Sequence, residues 1–360
     1  MDVFLIRSAN ASDHKSVQRL AAVLNTVNLP NDEDSLESLI ALSERSFHLK
    51  VKDPLAREYL FVMEDSKKRR IIGTSQIIAQ HGTREAPHIY FEVLEEERYS
   101  QTIDKHFRHK VLRIGFDYEG PTEIGGLVLD PAYRGAPGKL GKQLSFVRFL
   151  FIAMHRDRFR DRVLAELLPP LGADGRSVLW EALGRRFTGM DYLEADRISK
   201  TNKEFIQNLF PSGMIYASTF DADAQAVIGR VGPATEGVKK MLEGVGFEPL
   251  GRVDPFDGGP HFEARTDDIW PITQSTKGKA DVVDRSAIVD GAGESMEGLL
   301  AYEPTGKRQK KDGCFRCVQS EFRLHKDGKR IELSKEAADA LLADDGDRIW
   351  ALALSKHTRM

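Results

Sequence analysis

The spacing of apolar residues predicts that the chain opens with a strand followed by a helix. The run VFLIR at 3–7 is typical of a short strand. Within 8–25, apolar residues recur every three or four positions, which predicts a helix with Ser12 or Asp13 as its N-cap.

In the middle of the chain the residue pattern predicts a hairpin, leaves the next region undecided, and then predicts a strand, a loop and a helix. Runs at 59–65 and 71–80 flank the basic turn SKKRR, whereas the pattern over 81–118 leaves the structure open. A short apolar run at 124–129 predicts a buried strand. After a loop, apolar residues spaced by four and three positions over 140–154 predict the inner stripe of a long helix.

The pattern changes in the last quarter of the chain. Residues 273–295 are poor in large apolar side chains and predict a linker or long loop. Beyond them, at 296–360, two strand-like runs around the helix SKEAADALLA predict a small β-rich unit. Residues 1–272 then form the main core.

Composition places the chain among soluble globular proteins. Of its 360 residues 41% are hydrophobic and 30% charged, and no apolar run approaches the roughly 20 residues of a membrane span. The start, MDVFLIRSAN, lacks the features of a secretory signal, so we expect a cytoplasmic protein. A net charge of -3 gives no general attraction to nucleic acid.

The chain has two cysteines, Cys314 and Cys317, in GCFRCVQS. A zinc site of cysteines needs further ligands, and no second cysteine pair exists. The segment CFRCVQSEFRL predicts a strand, in which residues three apart point to opposite faces. We therefore expect ordinary strand cysteines.

The loop PAYRGAPGKLGKQ combines glycines with basic residues just before the predicted long helix. A helix amino terminus has N–H groups without intrahelical partners and the positive end of the helix dipole, so it attracts phosphate. Glycines allow the backbone to approach an anion, and basic residues add charge. The candidate pyrophosphate-binding residues are Arg134, Gly135, Gly138, Lys139, Gly141 and Lys142.

Two other interpretations of this loop stay open on the residues alone. A nucleoside triphosphate loop of the pattern GxxxxGK[ST] would place Ala136 at the first glycine and Gln143 at the magnesium-binding hydroxyl. Alternatively, the loop is a basic turn that leads into a helix and binds no ligand.

The strand–loop–helix unit resembles the GNAT superfamily of acyl-CoA-dependent N-acetyltransferases. The superfamily signature is a strand, a Pro shortly after it, and then Arg-x-x-Gly-x-Gly/Ala opening a helix. LVLDPAYRG supplies the strand, Pro131 and Arg134, but the loop is longer than usual, which puts Lys139 in the slot of the first glycine. The resemblance implies an α/β (α+β) fold with a mixed, splayed β-sheet flanked by helices.

Longer segments resemble the arginine N-succinyltransferase family within that superfamily. In chain order they include VMEDSKKRRIIGTSQI, GLVLDPAYR, VRFLFIAMHRDRFRDRVLAEL, WEALGRRFTGMDY, AQAVIGRVGPAT and LEGVGFEPLGRVDPFDGGP. The resemblance implies succinyl-CoA as co-substrate, the α-amino group of L-arginine as acceptor, and a role in arginine catabolism. It also implies no permanently bound cofactor, small-molecule partners rather than nucleic acid or membranes, and pairing of like or related subunits.

The GNAT fold implies donor and base residues on the predicted strand. In this fold the pantetheine arm of the acyl-CoA donor pairs with the splayed strand. The resemblance therefore implies that Leu127, Val128 and Leu129 contact the donor. Glu123 lies four residues before Leu127, the spacing at which histone acetyltransferases of the superfamily carry a general-base glutamate. Alternation places Glu123 and Gly125 on one face, where Gly125 leaves room for substrate. A solvated glutamate at a strand edge is the simpler alternative.

A tyrosine often serves as the acid in this superfamily. Tyr216, in GMIYAST, matches an Ile-Tyr pair of the succinyltransferases and is preferred to Tyr192, with a structural role as the alternative. One departure concerns the GxVxP stretch, where Gly232 replaces a His that is a candidate proton donor in the family. With Gly232 at this position, the protein uses another proton donor, acts on a different substrate or has impaired activity.

The guanidinium of the acceptor is best bound by carboxylates. The carboxylate of arginine and that of the succinyl group are best bound by Arg or Lys. The candidate substrate-binding residues are Asp254, Asp257 and Glu263 near the FDGGP turn, with Arg185 and Arg186 in GRRF. Individually, each is also explained as a capped turn or a surface ion pair.

Together these features predict a CoA-dependent N-succinyltransferase for arginine that acts by direct attack of the amine on the thioester and needs no metal. Two alternatives stay open. One is an N-acyltransferase for another amino acid or acyl-CoA, and the other is a non-catalytic sensor that binds CoA or arginine.

Overall fold

The computed structural model describes residues 4–24, 29–30, 32–84, 86–172, 175–199, 202–290, 294–306, 309, 313–325 and 328–354. The strands are β1 (Phe4–Ser8), β2 (Glu58–Asp65), β3 (Arg70–Ile78), β4 (His88–Ser100), β5 (Lys105–Asp117), β6 (Thr122–Leu129), β7 (Arg162–Glu166), β8 (Ile215–Tyr216), β9 (Glu248–Val253), β10 (Pro260–Arg265), β11 (Thr276–Val283), β12 (Ser295–Tyr302), β13 (Arg316–Leu324), β14 (Arg330–Ser334) and β15 (Arg348–Ala353). The helices are α1 (His14–Leu24), α2 (Glu33–Phe47), α3 (Leu140–Met154), α4 (Val178–Ala182), α5 (Gly184–Thr188), α6 (Tyr192–Ser199), α7 (Glu204–Leu209), α8 (Ala222–Val227), α9 (Glu236–Val245), α10 (Trp270–Gln274), α11 (Arg285–Asp290) and α12 (Lys335–Leu341). In these ranges no helix is long and apolar enough to cross a bilayer.

Two compact units divide the chain. The first contains Met1–Ala79, Ile124–Arg160 and Thr266–Met360, and the second contains Gln80–Glu123 and Asp161–Arg265. The boundary falls inside β6, which therefore contributes its first two residues to the second unit.

The first unit is built on a mixed sheet with the strand order β12-β15-β11-β14-β13-β1-β2-β3-β6. The strand β1 is antiparallel to both of its neighbours, with Leu5 opposite Val318 on β13 and opposite Glu64 on β2. The strands β11 and β14 are parallel. This mixture of directions is what the fold-class prediction requires, and the α/β prediction is confirmed.

Aromatic rings form the core of the first unit around α3. Tyr59 and Phe151 have ring centroids 4.8 Å apart, and Phe61 and Phe315 have centroids 5.3 Å apart. All four rings are fully buried, and burying each contributes about 1.5–3 kcal/mol. The predicted stripe of α3 points into this core, which fixes the helix and the loop that precedes it.

The second unit has the strand order β7-β10-β9-β4-β5-β8. The first residues of β6 join it as a parallel neighbour of β7, with Thr122 opposite Val163. The strands β4 and β5 occupy most of the region that the pattern left open and form a hairpin from His88–Asp117 to Ser100–Lys105. In the core of this unit Trp180 stacks on Phe256 with centroids 5.0 Å apart.

Two local predictions are wrong in detail. The N-cap of the first helical segment is Asn10, whose side chain accepts from Ser12 N at 2.9 Å while Asp13 accepts from Asn10 N at 3.0 Å. A 3-10 turn precedes α1, so the cap lies earlier than the apolar stripe suggests. The segment SVLWEALGRRF forms two short helices, because Leu183 leaves the helical conformation between α4 and α5.

The predicted linker at 273–295 is wrong, because it contains β11 and α11. The strand β11 has few large apolar residues, but backbone pairing with β14 and β15 holds both of its edges. A Cβ at Gly278 would lie 2.8 Å from Ile331, so a small residue is required there. The β-rich character of the carboxy-terminal part is confirmed, but the structure groups it in one unit with the amino-terminal strands rather than as a separate appendage to 1–272.

The cysteines behave as strand residues. Cys317 lies in β13, Cys314 lies just before it, and both are buried and free. Burial raises the pKa of both thiols, which keeps them protonated and weakens them as nucleophiles.

Candidate active site

Gly126 interrupts the strand β6 near its centre. Its φ of 56° is left-handed, and a Cβ would lie 3.1 Å from Gln76 Cβ, so glycine is needed. Arg148 on α3 donates to Gly125 O at 3.3 Å and to Ser145 Oγ at 2.7 Å. Burial lowers the pKa of Arg148 to about 9. The helix therefore fixes the peptide geometry just before the predicted donor-contact residues.

Those donor-contact residues differ in burial along β6. Leu127 and Leu129 are half-buried, whereas Val128 is buried in the core that includes α1 and α2. One face of this segment therefore keeps exposed surface while the other is packed.

Hydrogen bonds hold the carboxylate of Asp130 in place at the start of the loop before α3. Asp130 accepts from Ala132 N at 3.1 Å, and its other oxygen accepts from Arg19 and Arg70 at 2.9 Å each. Burial raises the pKa of Asp130, but these hydrogen bonds and charges outweigh it and hold the pKa below its ordinary value. Tyr133 donates to Asp65 Oδ2 at 2.8 Å and ties down the following turn.

The loop ends at a helix without a side-chain cap. Lys139 precedes α3 with a left-handed φ of 53° and makes no side-chain capping bond. Gly135 and Gly138 also have positive φ angles, 79° and 88°, and Arg134 and Lys139 are exposed. This part of the loop has the backbone N–H groups and charges that an anion requires.

Lys142 and Gly141 lie within α3, beyond the exposed part of the loop. The ammonium of Lys142 donates to Leu354 O, and its Nζ lies 4.8 Å from the centroid of the Phe146 ring. Burial and the nearby Lys139 lower the pKa of Lys142. The structure thus gives Lys142 a packing role that the sequence did not indicate.

Glu123 is completely buried and faces a histidine. Its Oε2 lies 2.7 Å from His81 Nδ1. Burial lowers the pKa of His81, but the Glu123 carboxylate outweighs it, so the pKa lies above its ordinary value. The side chain of His81 is 22% exposed, which gives the pair a contact with solvent. The alternative of a solvated strand-edge glutamate does not fit this burial.

A second group of titratable side chains adjoins His81. Glu166 Oε1 lies 3.1 Å from His88 Nε2 and 3.3 Å from His261 Nε2. The rings of His88 and His261 stack with centroids 5.2 Å apart, and those of His81 and His88 are 4.5 Å apart. The antiparallel pairing of β10 with β7 places His261 directly opposite Glu166.

The charge states in this second group follow from burial. Burial lowers the pKa of His88 to about 3 and also lowers that of His261. Burial raises the pKa of Glu166, but the two imidazoles outweigh it and the pKa is lowered. Burial thus favours the neutral form of the imidazoles, while the histidines beside Glu166 favour its ionised form.

Two carboxylates lie at the FDGGP turn, that of Asp254 just before it and that of Asp257 within it. Asp254 Oδ1 accepts from Phe256 N at 2.7 Å and from Asp257 N at 3.1 Å, and Asp257 Oδ1 accepts from Gly259 N at 2.7 Å. Burial and Asp257 raise the pKa of Asp254, and burial raises that of Asp257 to about 7. Burial and the same aspartates raise the pKa of Tyr192, so its phenol stays protonated.

The other predicted site residues have different partners. Tyr216 binds Glu96 and Arg98 through its hydroxyl, Glu263 pairs with Arg162 at 3.3 Å, Arg185 pairs with Glu181 at 3.2 Å, and Arg186 is exposed. The structure brings Asp254 and Asp257 together, while Tyr216, Glu263 and Arg185 contact other groups and Arg186 is exposed. Their site roles stay predictions.

Gly232 occupies a position with no room for a side chain. Its N–H donates to Leu168 O at 2.8 Å. A Cβ would lie 2.7 Å from Pro169 O and 2.9 Å from Leu168 O. A histidine at this position would require the backbone to move. The local packing of this protein therefore requires glycine where the family has histidine.

The sequence analysis did not identify His81, His88, His261 or Glu166 as candidate site residues. His81 and His88 lie in the region whose pattern was undecided, and His261 and Glu166 stand on strands far apart in the chain. Only the register of β10 against β7 brings the last two together.

The fold matches a solved structure along its whole length. The structure of arginine/ornithine succinyltransferase subunit AI from Pseudomonas aeruginosa matches with a TM-score of 0.79 and 29% identity, covering 99% of this chain and 100% of that one. Fold and site together define a CoA-dependent acyltransferase of the GNAT class.

Sequence comparison identifies the family within this class. The family model described as arginine N-succinyltransferase beta subunit matches residues 4–271. The arginine N-succinyltransferase of Yersinia pseudotuberculosis is 33% identical over 327 residues, 91% of this chain and 90% of that protein. The arginine N-succinyltransferase subunit beta of Pseudomonas aeruginosa is 36% identical over 274 residues, 75% and 79% of the two chains. The chain belongs to the arginine N-succinyltransferase family, as its motifs predicted.

Proposed function

We propose that this protein transfers the succinyl group of succinyl-CoA to the α-amino group of L-arginine. The observation that carries the proposal is the buried Glu123 carboxylate on β6, paired with His81 at 2.7 Å, in a chain of this family. A base on the same strand as the donor-contact residues is what transfer from a thioester to an amine needs.

The donor binds through the strand and the loop. The pantetheine arm adds to the backbone of 127–129, where Leu127 and Leu129 keep exposed surface. Its pyrophosphate binds at the amino terminus of α3, where Lys139 provides no side-chain cap and Gly135 and Gly138 bend the backbone. Arg134 and Lys139 supply the positive charge.

The chemical step is a single acyl transfer. Glu123 takes a proton from the α-ammonium, and the neutral amine then attacks the thioester carbonyl. A C–N bond forms and the C–S bond breaks, the nitrogen gives its second proton to the departing thiolate so that CoA leaves as the thiol, and Glu123 returns the first proton to solvent. No step passes through a metal.

The acid for the leaving thiolate is less critical than the base. A thiol has an ordinary pKa of about 8.5, so the thiolate leaves with little help near neutral pH. Tyr216 stays our candidate acid, with its hydroxyl already in a hydrogen-bonded chain with Glu96 and Arg98. With Gly232 at the position of the family histidine, we propose that another group meets this weak demand.

The acceptor guanidinium binds the carboxylates of the FDGGP region. Burial raises the pKa of Asp254 and Asp257, and a bound guanidinium would return both to the ionised form. Glu263 is the third proposed carboxylate. Arg185 and Arg186 are proposed for the substrate carboxylates, since both guanidinium groups lie at the molecular surface.

The cellular setting follows from the same proposal. Arginine and succinyl-CoA are small cytoplasmic metabolites, so we place the protein in the cytoplasm without nucleic-acid or membrane partners. The Pseudomonas aeruginosa relative is named a subunit, which supports assembly with like or related subunits.

Release of free thiol tests the proposal. Succinyl-CoA and acetyl-CoA are each incubated with arginine, ornithine and lysine, and thiol is measured with a chromogenic reagent. We expect rapid release that requires both succinyl-CoA and arginine. Equal release with another pair would move the specificity to that pair. No release with any pair, despite measurable CoA binding, would contradict an enzyme and leave a sensor.

A further inference from the structure

Two of the three histidines around Glu166 contain buried ring nitrogens without hydrogen-bond partners in the described part of the chain. They are Nδ1 of His88 and both nitrogens of His261. His88 is 3% exposed and His261 is 0% exposed. Unsatisfied polar atoms in a protein interior cost free energy, and an ordered water or ion commonly satisfies them.

The side chains of this group lie close together, and the contacts of Glu166 with His88 and His261 have the separation of neighbouring ligands on one metal ion. One ligand atom each from His81, His88 and Glu166 lies within 4.8 Å of the other two. His88 Nε2 and His261 Nε2 are 3.1 and 3.3 Å from the same Glu166 oxygen. Two ligands bound to zinc at about 2.0–2.1 Å in a tetrahedron are themselves roughly 3.3 Å apart.

The contact of His261 with Glu166 differs from that of His88, which is hydrogen-bonded to the same carboxylate oxygen at 3.1 Å. It has the distance of a hydrogen bond, but His261 Nε2 does not satisfy the geometry of one. Ligands on adjacent corners of a coordination tetrahedron approach each other in this way, because each points at the ion and not at its neighbour.

The surroundings of His81 add a further feature of metal sites. Its Nδ1 faces Glu123 Oε2 at 2.7 Å, which leaves Nε2 as the available ligand atom. Histidines bound to a metal ordinarily interact with a carboxylate through the other ring nitrogen, which orients the ring.

We propose that His81, His88, His261 and Glu166 form a site for one divalent transition-metal ion. Three imidazoles and one carboxylate suit zinc, whereas magnesium and calcium prefer oxygen ligands. The sequence predicted no metal, and it could not bring these residues together, because Glu166 and His261 lie far along the chain from His81 and His88. The site does not rest on the proposed acyl transfer, which routes no step through it.

Metal content of the tag-free protein tests the site directly. The protein is stripped with a chelator, dialysed against Zn²⁺ or Co²⁺, freed of excess metal and analysed by mass spectrometry for metal per chain. We expect about one equivalent, a visible Co²⁺ spectrum of tetrahedral type, and X-ray absorption showing imidazole ligands. A wild-type protein that retains no metal would overturn the proposal, whatever its transferase activity.

Matched histidine variants locate the ion. His88→Gln and His261→Gln should each lower affinity for Zn²⁺ by at least roughly 10-fold. His106→Gln is the control, since His106 lies on the exposed hairpin with a side chain that is 55% exposed. Equal loss in all three variants, or loss in none, would overturn the assignment. If His88→Gln and His261→Gln do not fold, the imidazole count from X-ray absorption of the wild type decides, and fewer than two imidazoles would contradict the site.

Discussion

At the scale of single residues, substitution of Glu123 should slow catalysis and leave donor binding intact. Glu123→Gln keeps the shape of the side chain but removes the proton acceptor. We expect kcat to fall by about 10²–10⁴-fold, the usual contribution of a general base, with the KM for succinyl-CoA changed by less than about 3-fold. Steady-state thiol release measures both parameters.

The control for this substitution is Glu248→Gln, which makes the same change at an exposed position of β9. It should leave both parameters unaltered. Far-ultraviolet circular dichroism checks that Glu123→Gln is folded, because the substitution also removes the carboxylate beside His81. A folded Glu123→Gln protein with the kcat of the wild type would show that another group removes the proton.

The sequence identifies some site residues and cannot identify others. Glu123 follows from its spacing before the donor strand together with the family resemblance. His261 and Glu166 are 95 positions apart in sequence, and only the pairing of β10 with β7 makes them neighbours. Similarly, the family resemblance favours Tyr216 over Tyr192, and the structure alone shows that Tyr192 is buried near Asp254 and Asp257.

At the scale of elements, the loop before α3 should control donor affinity. Arg134→Ala and Lys139→Ala each remove an exposed positive charge from the proposed pyrophosphate site. We expect the KM for succinyl-CoA to rise roughly 3–10-fold for each, since a charged surface contact contributes on the order of 1 kcal/mol. The kcat should stay nearly constant, and added salt should reduce the difference.

Lys105→Ala on β5 is the matched control, because it removes an exposed charge far from the loop in sequence. An equal rise in KM for Lys105→Ala would indicate a general charge effect. Unchanged KM values for both loop variants would place the pyrophosphate elsewhere.

Elements with strong periodicity were predictable, and elements held by remote pairing were not. The long apolar run of α3 specifies a helix that is buried on nearly all sides, and its Phe151 packs on the aromatic core. The strand β11 lacks such a run and is held instead by backbone pairing with β14 and β15. Composition alone therefore made its segment look like a linker.

At the scale of the whole molecule, the two units are interleaved along the chain. The first unit takes segments from the beginning, the middle and the end, and the second takes the two stretches between them. A sequence divided into consecutive blocks cannot reveal this arrangement, which is why the boundary predicted at 272 does not match the units. The class of fold was predictable because the GNAT motifs lie within single segments.

The central claim is that the intact protein forms an amide between succinate and the α-amino group of arginine. The measurement that tests it most directly is mass spectrometry and NMR of the product formed from succinyl-CoA and ¹⁵N-labelled arginine. We predict a single product with one succinyl group on the α-nitrogen and an unmodified guanidinium. A succinyl group on any other nitrogen, or no product at saturating donor, would contradict the account.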